Sequence, residues 1–166
     1  MRISLRDTPL TLSGDNIEIG KPFPNLKLSN FSLMLTDLAS FKGKVTILSV
    51  VPLLDIPNCE KQTHILSEEN YCLDKKTNLI TISRDLPFAQ KRFSKKAKIS
   101  NLIFLSDYRD ASFGKASGLL IKENYLLARA VFVLDENGVF RYKEIVSNLA
   151  EFPDMEKVFK IARSLL

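Results

Sequence analysis

The sequence has little that could bind a metal ion or a nucleotide. It contains one histidine, and its two cysteines, Cys59 and Cys72, do not form a Cys-x-x-Cys pair, so a zinc site is not expected. The glycine-rich patterns Gly-x-x-x-x-Gly-Lys and Gly-x-Gly-x-x-Gly, which bind phosphate groups, are both missing. Any catalytic chemistry is therefore expected from the amino-acid side chains alone, without a metal ion or a nucleotide.

Long apolar runs are also missing. No segment approaches the ~18 uninterrupted apolar residues that a membrane helix needs. In residues 1–7 the apolar stretch between charged residues is too short to be the apolar core of a signal peptide. We therefore expect a cytoplasmic protein with no membrane partner. In that compartment Cys59 and Cys72 are expected to be free thiols or catalytic groups rather than a structural disulfide.

The composition is that of an ordinary globular protein. The 166 residues fit one domain, and 45% of them are apolar and 26% charged. Basic residues cluster in residues 91–98, within a modest net charge of +5, which could indicate nucleic-acid binding. Binding of single strands also requires aromatic side chains, and Phe93 is the only one in this run. A solvated helix face is the favoured interpretation, and no nucleic-acid partner is expected.

The hydrophobic pattern predicts strands alternating with helices, which is typical of an α/β fold. Apolar runs predict strands, and turn residues between paired runs predict an N-terminal and a C-terminal hairpin, the second around Asn137-Gly138. The predicted strands are residues 26–28, 45–51, 79–83 and 102–105, and the predicted hairpins join 3–6 to 10–12 and 128–134 to 139–146.

Helices are predicted after several of these strands. One begins near Asn58 and runs to about Leu73, another begins at Pro87, and a helical turn lies around residues 37–41. Asp154 can cap a last helix. The apolar stripe of that helix comprises Met155, Val158, Phe159, Ala162 and Leu166.

Cys59 lies at the junction between the apolar strand 45–51 and the helix that follows it. Unpaired N–H groups and the positive end of the helix dipole favour a negative charge there. A thiol at such a position is expected to lose its proton more easily, and the thiolate is the reactive form. The position indicates redox or nucleophilic chemistry. The alternative is a small, buried and inert cysteine, because free cysteines are commonly buried.

Three segments, residues 49–63, 85–90 and 126–135, resemble the bacterial thiol peroxidases, a branch of the peroxiredoxins. The resemblance covers nearly the whole chain and implies one thioredoxin-like domain over residues 1–166. Its mixed β-sheet would be flanked by helices and preceded by an N-terminal β-hairpin. The implied activity is the reduction of hydrogen peroxide or organic hydroperoxides, with thioredoxin or a small thiol as reductant. The family also implies a homodimer and no metal, haem or flavin.

The resemblance also assigns site residues. The family pattern Pro-x-x-x-Thr-x-x-Cys places Pro52 and Cys59, with Arg129 supplied by a distant strand. Cys59 would attack the peroxide and become a sulfenic acid, Arg129 would keep the sulfur ionised and donate to the peroxide oxygens, and Pro52 would shield the thiolate. For Arg129 the alternative is a surface charge on a strand. The threonine position holds Ile56, whose side chain can neither accept nor donate a hydrogen bond.

A second departure concerns turnover. Members of the family usually carry a resolving cysteine after an aromatic residue of the helix that starts near Pro87, and here Phe93 is followed by Ser94. Cys72 is predicted to be a packed helix residue about 20 Å from Cys59 along one helix, too far for a disulfide. The chain is therefore expected to be a slow peroxidase with one redox cysteine. The alternative is a degenerate family member that acts as an oxidation sensor or binding module.

Overall fold

The computed structural model describes residues 2–166, and within them the chain forms ten strands and four α-helices. The strands are β1 (Arg2–Leu5), β2 (Thr8–Ser13), β3 (Lys27–Ser29), β4 (Leu35–Asp37), β5 (Thr46–Val50), β6 (Asn78–Ser83), β7 (Ile103–Ser106), β8 (Leu120–Ile121), β9 (Ala130–Leu134) and β10 (Phe140–Ile145). The helices are α1 (Pro57–Glu68), α2 (Pro87–Lys96), α3 (Ser112–Ser117) and α4 (Met155–Ser164), and short 3₁₀ helices span Leu38–Phe41 and Leu73–Lys75.

The described residues build a mixed sheet of seven strands in the order β10-β9-β5-β6-β7-β3-β4. Strands β5, β6 and β7 are parallel, whereas β9 pairs antiparallel with β5 and β10 antiparallel with β9. Every residue of β5 and β9 is buried, as expected for strands covered on both faces. The predicted central strand and the mixed sheet flanked by helices are confirmed.

Side chains of the central strand alternate between two cores. Ile47 packs with residues of α1 and α4 on one face, whereas Leu48 and Val50 pack on the other face with Phe113 of α3. Ser49 therefore lies on the same face of the sheet as Ile47, beneath α1, where its hydroxyl can form a hydrogen bond with a side chain of that helix.

The N-terminal hairpin is confirmed: β1 pairs antiparallel with β2, and β2 continues to β8 in a separate three-stranded sheet. Its turn lies at Arg6 and Asp7, slightly earlier than predicted. The C-terminal hairpin is also confirmed. Asp135 closes that hairpin, because its Oδ1 accepts from the N–H groups of Asn137 and Val139.

The helix that carries Cys59 is shorter than predicted. It ends at Glu68, not near Leu73, because the Asn70 side chain donates to the carbonyls of Leu66 and Ser67 and so caps the last turn. The next residues, Tyr71 and Cys72, have φ values of 54° and 65°, in the left-handed region. A helix cannot continue through that conformation.

Cys72 was predicted to be packed on the helix, and that prediction is wrong because its side chain is exposed. It still lies far from Cys59. Its neighbour Tyr71 contacts Phe159 and Arg163 towards the end of α4, whereas the Cys59 end of α1 lies beside Phe152, ahead of α4. The two cysteines thus lie near opposite ends of α4.

The last helix follows the prediction except at its end. Asp154 accepts from the N–H of Lys157 and caps α4, and four of the five predicted stripe residues are buried. Leu166 is the exception, with 55% of its surface exposed, because the helix ends at Ser164. The short elements β4, β8 and α3 were not predicted, since each is too brief to show a hydrophobic period.

Candidate active site

Cys59 and Arg129 meet because β9 runs antiparallel to β5. Val50, the last residue of β5, pairs with Ala130, the first residue of β9, so Arg129 lies beside the segment that leads from β5 to α1. Cys59 is the third residue of α1, and its side chain is fully buried. Residues 70 positions apart in the chain thus share one buried space.

The guanidinium of Arg129 directs its three nitrogens at three different partners. Its Nη2 lies 3.4 Å from Cys59 Sγ, its Nη1 donates to Gln62 Oε1 at 2.9 Å, and its Nε donates to the carbonyl of Leu149 at 3.1 Å. Arg129 is only 1% exposed, so it is not the surface charge that was the alternative interpretation. A buried charge of this kind persists only where its donors are satisfied.

Gln62 is a site residue that the sequence analysis missed. It lies three residues after Cys59 on the same face of α1, is fully buried, and donates from Nε2 to Ser49 Oγ of β5 at 2.8 Å. It links Arg129 to the central strand and so fixes the guanidinium in place. Its helical spacing from Cys59 could have identified Gln62 as a site residue. However, Gln62 lies within a polar segment of the sequence, which indicates an exposed helix face.

The segment between β10 and α4 covers the site. Besides the carbonyl of Leu149, it provides the carbonyl of Ala150, which accepts from Asn58 Nδ2 at 2.9 Å. It also provides Phe152, whose ring centroid lies 5.8 Å from the Arg129 guanidinium and 5.2 Å from Lys61 Nζ. Arginine packed against an aromatic face in this way is stabilised by the ring quadrupole.

Burial has the largest effect on the Cys59 thiol and raises its pKa above the ordinary value, because the charged form loses water. The Arg129 guanidinium and the backbone of Leu53 oppose this and lower the pKa, whereas the negative charge of Asp85 raises it further. The helix terminus predicts an easier loss of the proton, but burial of the sulfur, which the sequence did not reveal, raises the pKa and is the larger effect.

The other predicted positions also adjoin α1. Pro52 is buried in the turn after β5, consistent with a shielding role that remains a prediction. Ile56 is the N-cap residue of α1, in an extended conformation (φ −75°, ψ 128°), and 37% of its surface is exposed. A threonine hydroxyl here would lie at the start of the helix. An isoleucine leaves that place without a hydrogen-bonding group.

Ser94 lies in α2, where it is buried and donates to the carbonyl of Lys91 at 2.8 Å. Phe93 beside it packs edge-on against Phe104 of β7. Phe93 also lines a groove between α1 and α2 that includes Leu54 and His64. Neither Ser94 nor Cys59 lines that groove, so a thiol at position 94 would have to leave the helix interior to reach Cys59.

Neither a cluster of metal-binding side chains nor a membrane-spanning helix is present in the described part of the chain. Residues 2–166 contain no group of three or more His, Cys, Asp or Glu side chains arranged to hold a metal ion. None of their helices is long and apolar enough to cross a membrane.

This geometry agrees with comparisons to known proteins. The family model described as Redoxin matches residues 18–159. A thiol peroxidase of Bacillus subtilis is 44% identical, covering 99% of this chain and 98% of its own, and one of Staphylococcus epidermidis is 41% identical, covering 99% of each. The crystal structure of a peroxiredoxin-like protein from Aquifex aeolicus superposes with a TM-score of 0.91 at 32% identity, covering 99% and 97% of the two chains.

The fold is that of a redoxin with the thioredoxin-like architecture of the peroxiredoxins. Within that class, the full-length similarity to several bacterial enzymes places the chain among the thiol peroxidases, and it belongs to that family.

A first prediction concerns the ionisation of Cys59. In a Cys72→Ser background, alkylation of Cys59 should keep rising with pH above the range in which an ordinary thiol levels off, because burial raises its pKa. Arg129→Gln should move the midpoint still higher, since the attraction of the guanidinium is lost. The pH–rate profile of iodoacetamide labelling measures both. A midpoint below the ordinary thiol range would contradict this account.

A second prediction concerns Ile56. Ile56→Thr should raise the second-order rate with peroxide by at least about tenfold, because a hydroxyl donor returns where transition-state charge develops. It should also raise the free energy of unfolding by about 1 kcal/mol, because threonine can cap α1. Ile56→Val is the matched control, since it has the shape of threonine without the hydroxyl. Equal stopped-flow rates for the two variants would mean that another group already supplies the donor.

Proposed function

We propose that this chain is a thiol-dependent peroxidase that uses Cys59 as its only redox cysteine. The observation that supports it most is the buried guanidinium of Arg129, 3.4 Å from Cys59 Sγ. A fixed cation in a buried site is suited to stabilise both the thiolate and the negative charge that develops on a departing oxygen. Residues 1–166 would act as one domain.

The proposed first step is an attack by the Cys59 thiolate on one oxygen of the peroxide. A sulfur–oxygen bond forms while the oxygen–oxygen bond breaks, so sulfur is oxidised to a sulfenic acid and the peroxide is reduced to an alkoxide or hydroxide. The departing oxygen then takes a proton and leaves as an alcohol or water. Arg129, held by Gln62 and the Leu149 carbonyl, donates towards these oxygens from Nη2.

Access to Cys59 requires movement. The cysteine has no exposed surface, so a peroxide reaches the sulfur only when neighbouring atoms shift. The segment that carries Leu149 and Phe152 contacts Arg129, and Pro52 is buried in the turn before α1, so these are the parts expected to move. The proposed substrates are hydrogen peroxide and organic hydroperoxides.

Regeneration would need an external thiol. One thiol attacks the Cys59 sulfenic acid, which releases water and leaves a mixed disulfide; a second thiol then attacks the sulfur of the first thiol, which releases Cys59 as a thiolate and forms a disulfide between the two reductant thiols. The reductant must come from outside because Ser94 has no sulfur, and thioredoxin or a small thiol is proposed for this role. The proposed location is the cytoplasm. We also propose a homodimer, which is consistent with the exposed apolar side chains of Leu86 and Phe88 at the start of α2.

The second candidate function is that of an oxidation sensor or binding module with little turnover. Two departures from the family pattern favour it: Ile56 at the N-cap of α1 and Ser94 in α2. Steady-state consumption of peroxide with added thiols separates the two functions. A sensor would be oxidised once and would not be returned rapidly to the thiol.

A third prediction identifies the nucleophile. One equivalent of peroxide should convert Cys59 to a sulfenic acid while Cys72 stays reduced, although Cys72 is the exposed thiol. The reason is that Arg129 lies beside Cys59 alone. Mass spectrometry after trapping with a sulfenic-acid reagent measures it, with Cys59→Ser and Cys72→Ser as matched controls. Trapping reagent found mainly on Cys72 would overturn the assignment.

A fourth prediction concerns turnover. With peroxide and no added thiol, the protein should stop after one turnover without an intramolecular disulfide, and excess peroxide should carry Cys59 on to sulfinic acid. The variant Ser94→Cys should form a disulfide with Cys59 if α2 can unwind, whereas Ser94→Ala should behave as the parent does. Non-reducing peptide mapping distinguishes them. A Cys59–Cys72 disulfide in the parent would contradict this prediction, because Cys72 would then act as an internal resolving thiol.

A further inference from the structure

The turn between β5 and α1 is tied to the neighbouring strand by a side chain. Backbone pairing with β6 continues one residue past β5, because Val51 N donates to the Ile82 carbonyl at 3.0 Å. Beyond that point the N–H of Leu54 donates instead to Asp85 Oδ2 at 2.9 Å. Leu54 itself is buried, with 1% of its surface exposed. Asp85 therefore ties the middle of the turn to the end of β6, beside the turn's own backbone bond from Ile56 N–H to the Leu53 carbonyl at 3.2 Å.

Asp85 is itself oriented by a polar network at the ends of the parallel strands. Ser83 Oγ donates to Asp85 Oδ2 at 2.6 Å, and Gln90 Nε2 donates to Ser83 Oγ at 3.0 Å and to the Leu105 carbonyl at 2.9 Å. Ser106 Oγ donates to the Asp85 carbonyl. Ser83, Gln90 and Ser106 are buried, so a carboxylate in this network has little freedom to turn away.

The turn held by Asp85 packs beside Cys59, because Leu54 and Cys59 belong to the same buried cluster. The backbone of Leu53, adjacent to Leu54, interacts with the sulfur and stabilises its charged form. Asp85 acts in the opposite sense through its charge, which disfavours the thiolate. The charged groups that bear on Cys59 are Arg129 and Asp85, and Asp55 is the charged group that bears on Asp85.

We propose that Asp85 is a positioning residue of the peroxide site, which holds the turn from Pro52 to Leu54 so that its backbone faces the Cys59 sulfur. This rests on the proposed peroxidase function. Asp85 touches neither the sulfur nor the peroxide and acts through Leu54. Because it follows β6 and leads into α2, it also joins the helix of Ser94 to the turn that precedes the helix of Cys59.

The test compares two substitutions that remove the same charge. Asp85→Asn keeps an oxygen that can accept from Leu54 N–H, whereas Asp85→Ala cannot. The control is Asp107→Asn, which changes another buried carboxylate directly after β7 that accepts from Phe113 and Gly114 N–H and not from the turn. All are made in a Cys72→Ser background, so that Cys59 is the only thiol.

Three measurements separate positioning from a merely structural role. Hydrogen exchange of the Leu54 amide should be protected in Asp85→Asn and at least about tenfold faster in Asp85→Ala, because only the first retains an acceptor. Thiolate absorbance of Cys59 should titrate at lower pH in Asp85→Asn, since a negative charge is gone. The rate with hydrogen peroxide, at a pH where Cys59 is fully ionised, should fall about ten- to a hundredfold in Asp85→Ala alone.

Asp107→Asn should change none of these three measurements, whatever its effect on thermal stability. Equal peroxide rates for fully ionised Asp85→Asn and Asp85→Ala would overturn the proposal, as would equal exchange of the Leu54 amide. If Asp85→Ala does not fold, Ser83→Ala, which removes the hydroxyl that orients the carboxylate, supplies the comparison. A parent that does not react with peroxide would refute the proposed function, while the exchange and titration data would still decide the role of Asp85.

Discussion

The buried positive charge of Arg129 is the constraint on which the rest of the site depends. A guanidinium removed from water is stable only if its donors find partners, and two different elements supply the three partners here. Helix α1 provides Cys59 and Gln62, and the segment before α4 provides the carbonyl of Leu149. Gln62 in turn reaches Ser49 of the central strand. Satisfying one cation thus fixes the relative positions of β5, α1, β9 and the covering segment.

Burial and the nearby cation have opposite effects on the pKa of Cys59. Loss of water raises the pKa of the thiol, whereas the nearby cation lowers it, and the first effect is the larger. A low-dielectric site makes the thiolate harder to form, but it strengthens every interaction with the charge that develops during attack. Reactivity of this thiol therefore depends less on a ready supply of thiolate than on well-placed donors. For that reason the lack of a hydroxyl at Ile56 is predicted to lower the rate of attack.

The sequence predicted the sheet well because its central strands are long, apolar and rich in β-branched residues, as in residues 45–51. It also placed Cys59 near the start of a helix, because that residue follows the strand 45–51 and a turn; the helix begins at Pro57, one residue before the predicted start. It did not predict the end of that helix, where a single side chain, Asn70, competes with the continuing hydrophobic pattern. Nor could it show the burial of Cys59 and Gln62, which depends on contacts with Arg129 and with the segment before α4.

The site has two halves, and this chain retains them unequally. The half that would attack peroxide, formed by β5, α1 and β9, keeps its buried cation but has no hydroxyl donor at Ile56. The half that would resolve the sulfenic acid lies on α2, where Ser94 is buried and bonded to its own helix. If α2 carried a thiol at position 94, that thiol would have to leave the buried face of the helix to reach Cys59, and any movement at the start of α2 would act on the bond from Leu54 to Asp85. With Ser94 in that place, the proposed reaction with an external thiol requires no such movement, so the turn before α1 can stay ordered around Cys59.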